Sequence, residues 1–103
     1  MKIAEKDIVN YIKSTPDDFL LSFSDNTWSQ PYIDEAAKMA IKEGPIRFLH
    51  NFLNKPWAQP YIDKAAKEFA KRHPKYFLEE WADRFPRYIN FTLFAMGGKN
   101  VSR

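Results

Sequence analysis

The sequence contains no cysteine, only three glycines and no hydrophobic run long enough to cross a membrane. Because the chain has no thiols, it can form neither disulfides nor cysteine-ligated zinc or iron–sulfur sites, and it has no thiolate nucleophile. The most apolar stretch, Phe91 to Met96, is far shorter than the roughly 20 residues that a transmembrane helix needs. The first residues also lack the apolar segment of a signal peptide. These absences predict a soluble protein located in the cytoplasm.

Aromatic side chains, in contrast, are abundant. Nine Phe, five Tyr and three Trp make up 17% of the 103 residues, and apolar residues make up 45%. A chain of about 100 residues can bury roughly 65% of its unfolded surface, and aromatic rings supply much of the area that a core needs. The composition therefore predicts one folded domain rather than a disordered chain.

The formal charge of +3 is unevenly distributed along the chain. Residues 1–51 contain 6 Lys and Arg against 8 Asp and Glu, whereas residues 52–103 contain 10 against 5. Such a field would steer an acidic partner or a nucleic acid toward the C-terminal half.

A nine-residue segment recurs in the chain with eight identities. Residues 30–38 read QPYIDEAAK, and residues 59–67, which lie 29 positions later, read QPYIDKAAK. The same offset relates Trp28 to Trp57. It also aligns three segments that begin with proline, at Pro16, Pro45 and Pro74. We therefore divide the chain into units at residues 1–29, 30–58 and 59–87, a segment at 88–96 and a flexible tail at 97–103.

Each unit contains two segments in which apolar residues recur at the spacing of a helix. The apolar positions in the first part of the third unit are Tyr61, Ile62, Ala65, Ala66, Phe69 and Ala70. They form one stripe of a helix, which we call helix A. Pro60 fits its first turn, where a missing amide proton costs nothing. A shorter helix B begins at Pro74 and keeps Phe77 and Trp81 at i and i+4.

A single helix pair of this length cannot bury both apolar faces, so successive pairs are expected to stack. The sequence predicts an all-α fold, a short α-solenoid of about three helix-turn-helix repeats with a C-terminal capping helix. A Pro-x-x-Phe-Leu helix that follows a Tyr-Ile-Asp-x-Ala-Ala helix resembles the HEAT-like and TPR-like helix-pair repeat families. That resemblance implies a binding scaffold and supplies no catalytic residues.

The segment at 88–96 allows two interpretations. Ile89, Phe91, Leu93 and Ala95 alternate as in a strand, but no other strand is predicted to pair with them. We therefore favour a helix, in which Phe91 and Phe94 leave little of the polar outer face that a cap should have. This apolar segment predicts contact either with a second copy of the chain or with a further unit of a longer repeat array.

The sequence contains no recognisable catalytic or metal-binding motif. His50 and His73 form no His-x-x-x-His pair, and there is neither a glycine-rich phosphate loop nor a Gly-x-Ser-x-Gly motif. The neighbouring carboxylates of Glu79 and Glu80 point about 100° apart on a helix and cannot share a proton. We expect no enzyme activity, no metal and no cofactor.

The exposed sides of the B helices are the first candidate site. Their residues differ between units, whereas the apolar positions repeat, as expected for a surface that binds an irregular protein or peptide partner. The candidate residues are Arg47, His50, Asn51, Tyr76 and Glu80. Trp28 and Trp57 are instead predicted to pack between units.

Lysines at recurring positions of the A helices are the second candidate. Stacked helices would align them into a basic ridge that contacts nucleic acid or an acidic protein. The residues are Lys13, Lys42, Lys71, Lys38, Lys67 and Lys64, with Arg72 and Lys75 at the C-terminal end. A third hypothesis is a purely structural repeat that assembles head to tail through its oppositely charged ends or its apolar C-terminal segment.

Overall fold

The structure, a computed structural model, describes residues 4–97. Over this range every regular element is helical and there is no strand, so the prediction of an all-α chain is confirmed. None of the helices in this range has the length and apolar character to cross a membrane. Of the tail predicted at 97–103, only Gly97 belongs to the described residues.

Seven α-helices follow one another along the chain. They are α1 (Glu5–Ser14), α2 (Pro16–Phe23), α3 (Gln30–Glu43), α4 (Pro45–Phe52), α5 (Gln59–Arg72), α6 (Pro74–Tyr76) and α7 (Ile89–Ala95). The last turn of α6 continues directly as a π-helical turn at Phe77–Trp81. Short 3-10 turns at Thr27–Ser29, Pro56–Ala58 and Pro86–Tyr88 lead into α3, α5 and α7.

The corners between paired helices are set by proline. Steric contact with a proline ring excludes the preceding residue from the helical region of the backbone. The residues before the prolines that begin α2, α4 and α6 accordingly leave the helix, with ψ angles of 73° at Thr15, 89° at Gly44 and 64° at His73. Each proline then starts the next helix, where its missing amide proton leaves no bond unmade.

A recurring glutamine joins each pair to the next. The Nε2 atom of Gln30 donates to the carbonyl oxygens of Ser24 and Asn26, both at 3.0 Å. That of Gln59 donates to Leu53 at 3.0 Å and to Lys55 at 2.9 Å. These carbonyls lie just beyond α2 and α4, where backbone acceptors lack helical partners. The repeated glutamine therefore fixes the turn that leads into α3 and α5.

The helices contact one another in chain order. Helices α1, α3, α5 and α7 form one row, in which α1 contacts α3, α3 contacts α5 and α5 contacts α7. The other three helices pack against this row: α2 contacts α1 and α3, α4 contacts α3 and α5, and α6 contacts α5 and α7. The resulting body is elongated, with extents of 60 × 22 × 17 Å.

One contiguous hydrophobic core runs through this arrangement. Its largest fully buried side chains include Phe19, Phe48, Phe52, Phe69 and Phe77. The faces of α3 and α5 contribute six fully buried alanines, at positions 36, 37, 40, 65, 66 and 70. Small side chains allow neighbouring helices to approach closely, and the phenylalanines of the shorter helices fill the space beside them.

Hydrogen bonds between tyrosine and aspartate connect α5 to α3 and the turn before α7 to α5. The Tyr61 hydroxyl donates to the Asp34 carboxylate at 2.8 Å, and the Tyr88 hydroxyl donates to the Asp63 carboxylate. Arg87 lies 3.1 Å from the same Asp63 carboxylate. These contacts repeat the same residue types at equivalent places, although the spacing before Tyr88 differs from that before Tyr61.

The Tyr88 contact predicts a pH effect on stability. Burial, followed by the hydrogen bond to Asp63, raises the pKa of Tyr88 from 10.0 to about 12. Because the folded-state pKa is the higher one, the stabilisation is complete below pH 10 and is lost as the pH rises through about 12. Tyr88→Phe should therefore lose stability less steeply than the wild type across this window. Urea unfolding at its two ends tests this, and parallel curves would contradict it.

The C-terminal segment is helical, as predicted in preference to a strand. Helix α7 ends before Gly97, whose positive φ of 85° is a conformation that favours glycine at a helix end. Phe94 and Met96 are 67% and 50% exposed. The apolar surface that the sequence suggested at this end is thus present on α7.

Candidate functional site

The five candidate residues of the B helices are distributed over several places. Arg47, His50, Tyr76 and Glu80 are exposed and Asn51 is half-buried. His50 and Asn51 line one cavity, and Arg47, Tyr76 and Glu80 do not line it. The sequence therefore placed these residues on the expected helices, but the structure does not bring all five into one site.

That cavity is a groove of about 440 Å³ between the end of α4 and the π-helical turn. We call it the α4–α6 groove, because the π-helical turn on one side of it continues helix α6. Its lining residues are Leu49, His50, Asn51, Leu53, Asn54, Lys55, Trp81 and Arg84. It combines apolar side chains with amides and basic groups, and its volume lies within the range of small-ligand pockets.

Trp81 forms a rigid wall of this groove. Its side chain is only 7% exposed, and its ring centroid lies 5.7 Å from that of Phe69 in the core. The His50 ring meets it nearly edge-on at 5.4 Å, and the Arg84 guanidinium carbon lies 4.9 Å from the indole centroid. This arrangement of a cation near an aromatic ring is electrostatically favourable.

The π-helical turn distinguishes this part of the third unit from the first two. The equivalent segments in α2 and α4 are α-helical and end in Phe23 and Phe52, whereas the third ends in Trp81. A π turn is wider than an α turn and is frequently found at functional sites. The larger ring and the wider turn together shape the groove beside α4.

The groove has a basic character. Its lining contains Lys55 and Arg84 together with His50, and none of the lining residues is Asp or Glu. Over residues 4–97, neither Lys55 nor Arg84 forms an ion pair. The positive charge is therefore not neutralised locally, and it favours an anionic group in the groove.

Arg47 has a different environment from that of His50. Its Nη1 atom lies 3.3 Å from Oδ2 of Asp17, whose side chain is 10% exposed, and the pair borders a small cavity of about 110 Å³. Burial raises the pKa of Asp17, and Arg47 opposes this effect. Removing Arg47 would leave a buried carboxylate without its cation. Arg47 therefore supports the contact between α2 and α4.

The other two candidates lie away from the groove. Tyr76 is 40% exposed and packs edge-to-face on Phe69 at 5.3 Å. It borders a shallow depression together with His73, Pro74, Lys75 and Glu79. Glu80 is exposed and lines neither this depression nor the α4–α6 groove.

Four of the eight candidate basic residues of the alternative site come together. Lys38, Lys42, Lys64 and Arg72 line a groove of about 410 Å³ between α3 and α5. Glu68 also lines it and lies 3.6 Å from Arg72, while Lys38 pairs with Asp34 at 3.0 Å. Carboxylates thus reduce the positive potential of this groove.

The remaining four candidate lysines, Lys13, Lys67, Lys71 and Lys75, are exposed but do not line the groove between α3 and α5. The Lys67 ammonium lies 5.8 Å from the centre of the Phe91 ring. Lys75 borders the depression beside Tyr76. The predicted ridge is therefore divided among several local environments.

Within the part of the chain that the structure describes, no three His, Cys, Asp or Glu residues are grouped so that they could hold a metal ion. No protein-family model, no curated protein and no solved structure matches this chain. The resemblance to HEAT-like and TPR-like repeats thus stays an expectation from the repeat pattern. The function has to be argued from the residues and their geometry.

Proposed function

We propose that the chain is a short α-solenoid that binds a peptide or a partner protein on the exposed sides of its B helices. The α4–α6 groove is the main contact in this proposal. The ordered contacts among α1, α3, α5 and α7 support the solenoid description. The interaction requires no catalytic step and no cofactor.

The observation that carries the proposal is the composition of the α4–α6 groove. It has an apolar wall at Trp81 and Leu53, with hydrogen-bonding side chains such as Asn51 and Arg84 around it. Protein-binding surfaces have this organisation, with an apolar centre and a polar rim, and tryptophan and arginine are enriched among their energetically dominant residues. The groove is therefore suited to anchor a side chain of a partner.

Alanine substitution of groove residues tests the proposal. We expect His50→Ala, Asn51→Ala and Lys55→Ala together to weaken capture of a partner by at least about tenfold, since truncating a central interface residue often costs 1–2 kcal/mol. Arg47 stays intact because it pairs with Asp17. The measurement is quantitative capture from an extract of the native host by immobilised protein.

The matched control replaces exposed lysines on the long helices, Lys13 and Lys71, by alanine. The control protein should capture the same partner as the wild type, and circular dichroism should show that both variants are folded. Equal capture by the groove variant and the wild type would contradict the proposed function.

A second candidate function is nucleic-acid binding by the groove between α3 and α5. The observation that favours it is the convergence of Lys38, Lys42, Lys64 and Arg72. If it is correct, affinity for duplex DNA should fall with salt at a logarithmic slope of about −0.9 for each neutralised phosphate. Lys42→Glu with Lys64→Glu should abolish a gel shift at low salt. The absence of any shift of DNA or RNA by the wild type would exclude this function.

A further inference from the structure

We propose that the α4–α6 groove selects an acidic segment of its partner, a short peptide stretch with carboxylates on either side of one apolar side chain. This inference rests on the proposed function and specifies the chemistry of the partner. Charge complementarity is its main argument, and the dimensions of the groove support it.

The donors of the groove have no acidic counterpart among its lining residues. Lys55 and Arg84 supply positive charge, and His50 and two asparagines add hydrogen-bonding side chains. A carboxylate that enters the groove exchanges water for charge-assisted hydrogen bonds, which are stronger than neutral ones. A lysine or arginine in its place meets like charge, which weakens binding. The groove thus distinguishes acidic from basic segments.

Arg84 is especially suited to this role. Its guanidinium lies 4.9 Å from the Trp81 ring centre. A guanidinium that packs against an aromatic ring loses less freedom when it binds, and its fork of N–H donors matches both oxygens of a carboxylate. Trp81 itself is buried against the core and gives Arg84 a fixed support.

The size and the apolar part of the groove determine the length of the segment. A volume of about 440 Å³ is near the lower end of the range for ligand pockets. It accommodates one apolar side chain and its neighbours rather than a whole helix. Leu53, which is half-buried, and the exposed part of Trp81 provide the apolar contacts for that side chain. The flanking carboxylates then lie near the basic residues of the rim.

A single-stranded nucleic acid fits the same site less well. Such ligands bind largely by stacking their bases on accessible aromatic faces. Trp81 is only 7% exposed, with Arg84 and His50 packed against it. Too little of the ring is therefore exposed for a base to stack on it, and the positive charge is better matched by a peptide carboxylate.

Two blocked synthetic peptides, GELEG and GKLKG, serve as probes. Each is titrated into the full-length, nitrogen-15-labelled protein, and the signals of the three tryptophan indoles and of the backbone amides are followed by NMR. GELEG should shift the Trp81 indole and the amides of residues 49–55 and 81–84. GKLKG should bind at least about tenfold more weakly, because it brings like charge to the rim.

Charge reversal gives the sharper test. The double variant Lys55→Glu/Arg84→Glu should bind GKLKG better than GELEG. The control Lys13→Glu/Lys71→Glu changes the net charge equally on the long helices and should keep the preference of the wild type. Circular dichroism verifies the fold of each variant, and Lys55→Gln/Arg84→Gln replaces the reversed pair if that variant does not fold. The glutamine variant should lose the preference for GELEG.

Several outcomes would overturn the inference. They are equal binding of the two peptides, binding of neither at millimolar concentration, and shifts confined to the groove between α3 and α5. Stronger Trp81 shifts with a thymidine oligonucleotide than with GELEG would indicate nucleic acid. Shifts of Trp81 with protein concentration alone would indicate a second copy of the chain.

The two proposals can fail separately. Loss of partner capture on groove substitution, together with equal binding of both peptides, would leave the proposed function standing and refute the acidic preference. Selective binding of GELEG together with unchanged partner capture would refute the proposed function and support the chemistry of the groove.

Discussion

Replacing Phe69 by alanine is expected to lower the free energy of unfolding by about 3–5 kcal/mol. Phe69 is fully buried and lies at the centre of the aromatic cluster of the third helix pair. Its ring centroid is 5.3 Å from that of Tyr76, 5.5 Å from Phe77 and 5.7 Å from Trp81. The substitution therefore opens a cavity among rings that hold α5 and α6 together.

Urea unfolding monitored by circular dichroism measures this loss. The matched control is Phe94→Ala on α7, because Phe94 is 67% exposed and its removal should change stability by no more than about 0.5 kcal/mol. Phe69→Ala should also weaken binding of GELEG, since Phe69 supports the Trp81 wall of the α4–α6 groove. Similar costs for the two substitutions would contradict the described core.

Replacing Trp57 by alanine is expected to lower stability by about 3 kcal/mol, whereas phenylalanine at this position should be nearly neutral. Trp57 is half-buried, with its ring centroid 5.1 Å from that of Phe52 and 6.3 Å from Phe48. Within residues 4–97, its buried Nε1 atom has no hydrogen-bond partner. Phenylalanine keeps the aromatic packing and removes an unsatisfied donor, so the two effects offset each other.

Trp28 is the natural comparison because it occupies the same repeat position in the first unit. It packs on Phe19 at 6.0 Å and on Phe23 at 5.2 Å, but it is 37% exposed. Trp28→Ala should therefore cost somewhat less than Trp57→Ala in the same unfolding experiment, because less buried area is lost. Equal costs for the alanine and phenylalanine variants of Trp57 would show that its ring packing is not what stabilises the chain.

The helical framework could be predicted from the sequence because local chemistry specifies it. Pro16, Pro45 and Pro74 each stop one helix and begin the next, and this effect depends only on neighbouring backbone atoms. The apolar stripe of the A helices likewise predicts residues such as Ala65 and Phe69, which are fully buried. The folded chain keeps the helices that these local patterns predict, because the packing of the core stabilises the same helices.

The groove could not be predicted in the same way. The π-helical turn at Phe77–Trp81 has no local sequence signal, and its large rings stack on Phe85, 6.4 Å from the Phe77 and Trp81 ring centres. Lys55 and Arg84 lie in turns after helices rather than on them, so the pattern of exposed helical positions does not bring them together. In the sequence, the third unit differs from the first two at this position, because Trp81 replaces the phenylalanine that they share.

The repeat pattern also could not predict ion pairs between residues that lie far apart in the sequence. Asp17 and Arg47 lie 30 positions apart, and their contact depends on how α4 packs beside α2. The lysines of the predicted ridge share repeat positions. Lys38, however, pairs with Asp34, and Lys67 lies near the Phe91 ring, so these two lysines have different environments. The pattern predicted which residues are exposed, not which of them converge.

Both proposed binding surfaces, the α4–α6 groove and the groove between α3 and α5, depend on the order in which the helices stack. Because the chain has no cysteine, single cysteines can be introduced in pairs at Lys13, Lys42 and Lys71 and labelled with nitroxides. All three lysines are exposed on the long helices.

The distances between the labels, measured by electron paramagnetic resonance, test the stack directly. With neighbouring helices about 8–10 Å apart, the pairs 13–42 and 42–71 should give similar short distances, and the pair 13–71 should give about twice that value. A 13–71 distance as short as those of the neighbouring pairs would contradict the stack and with it the described surfaces.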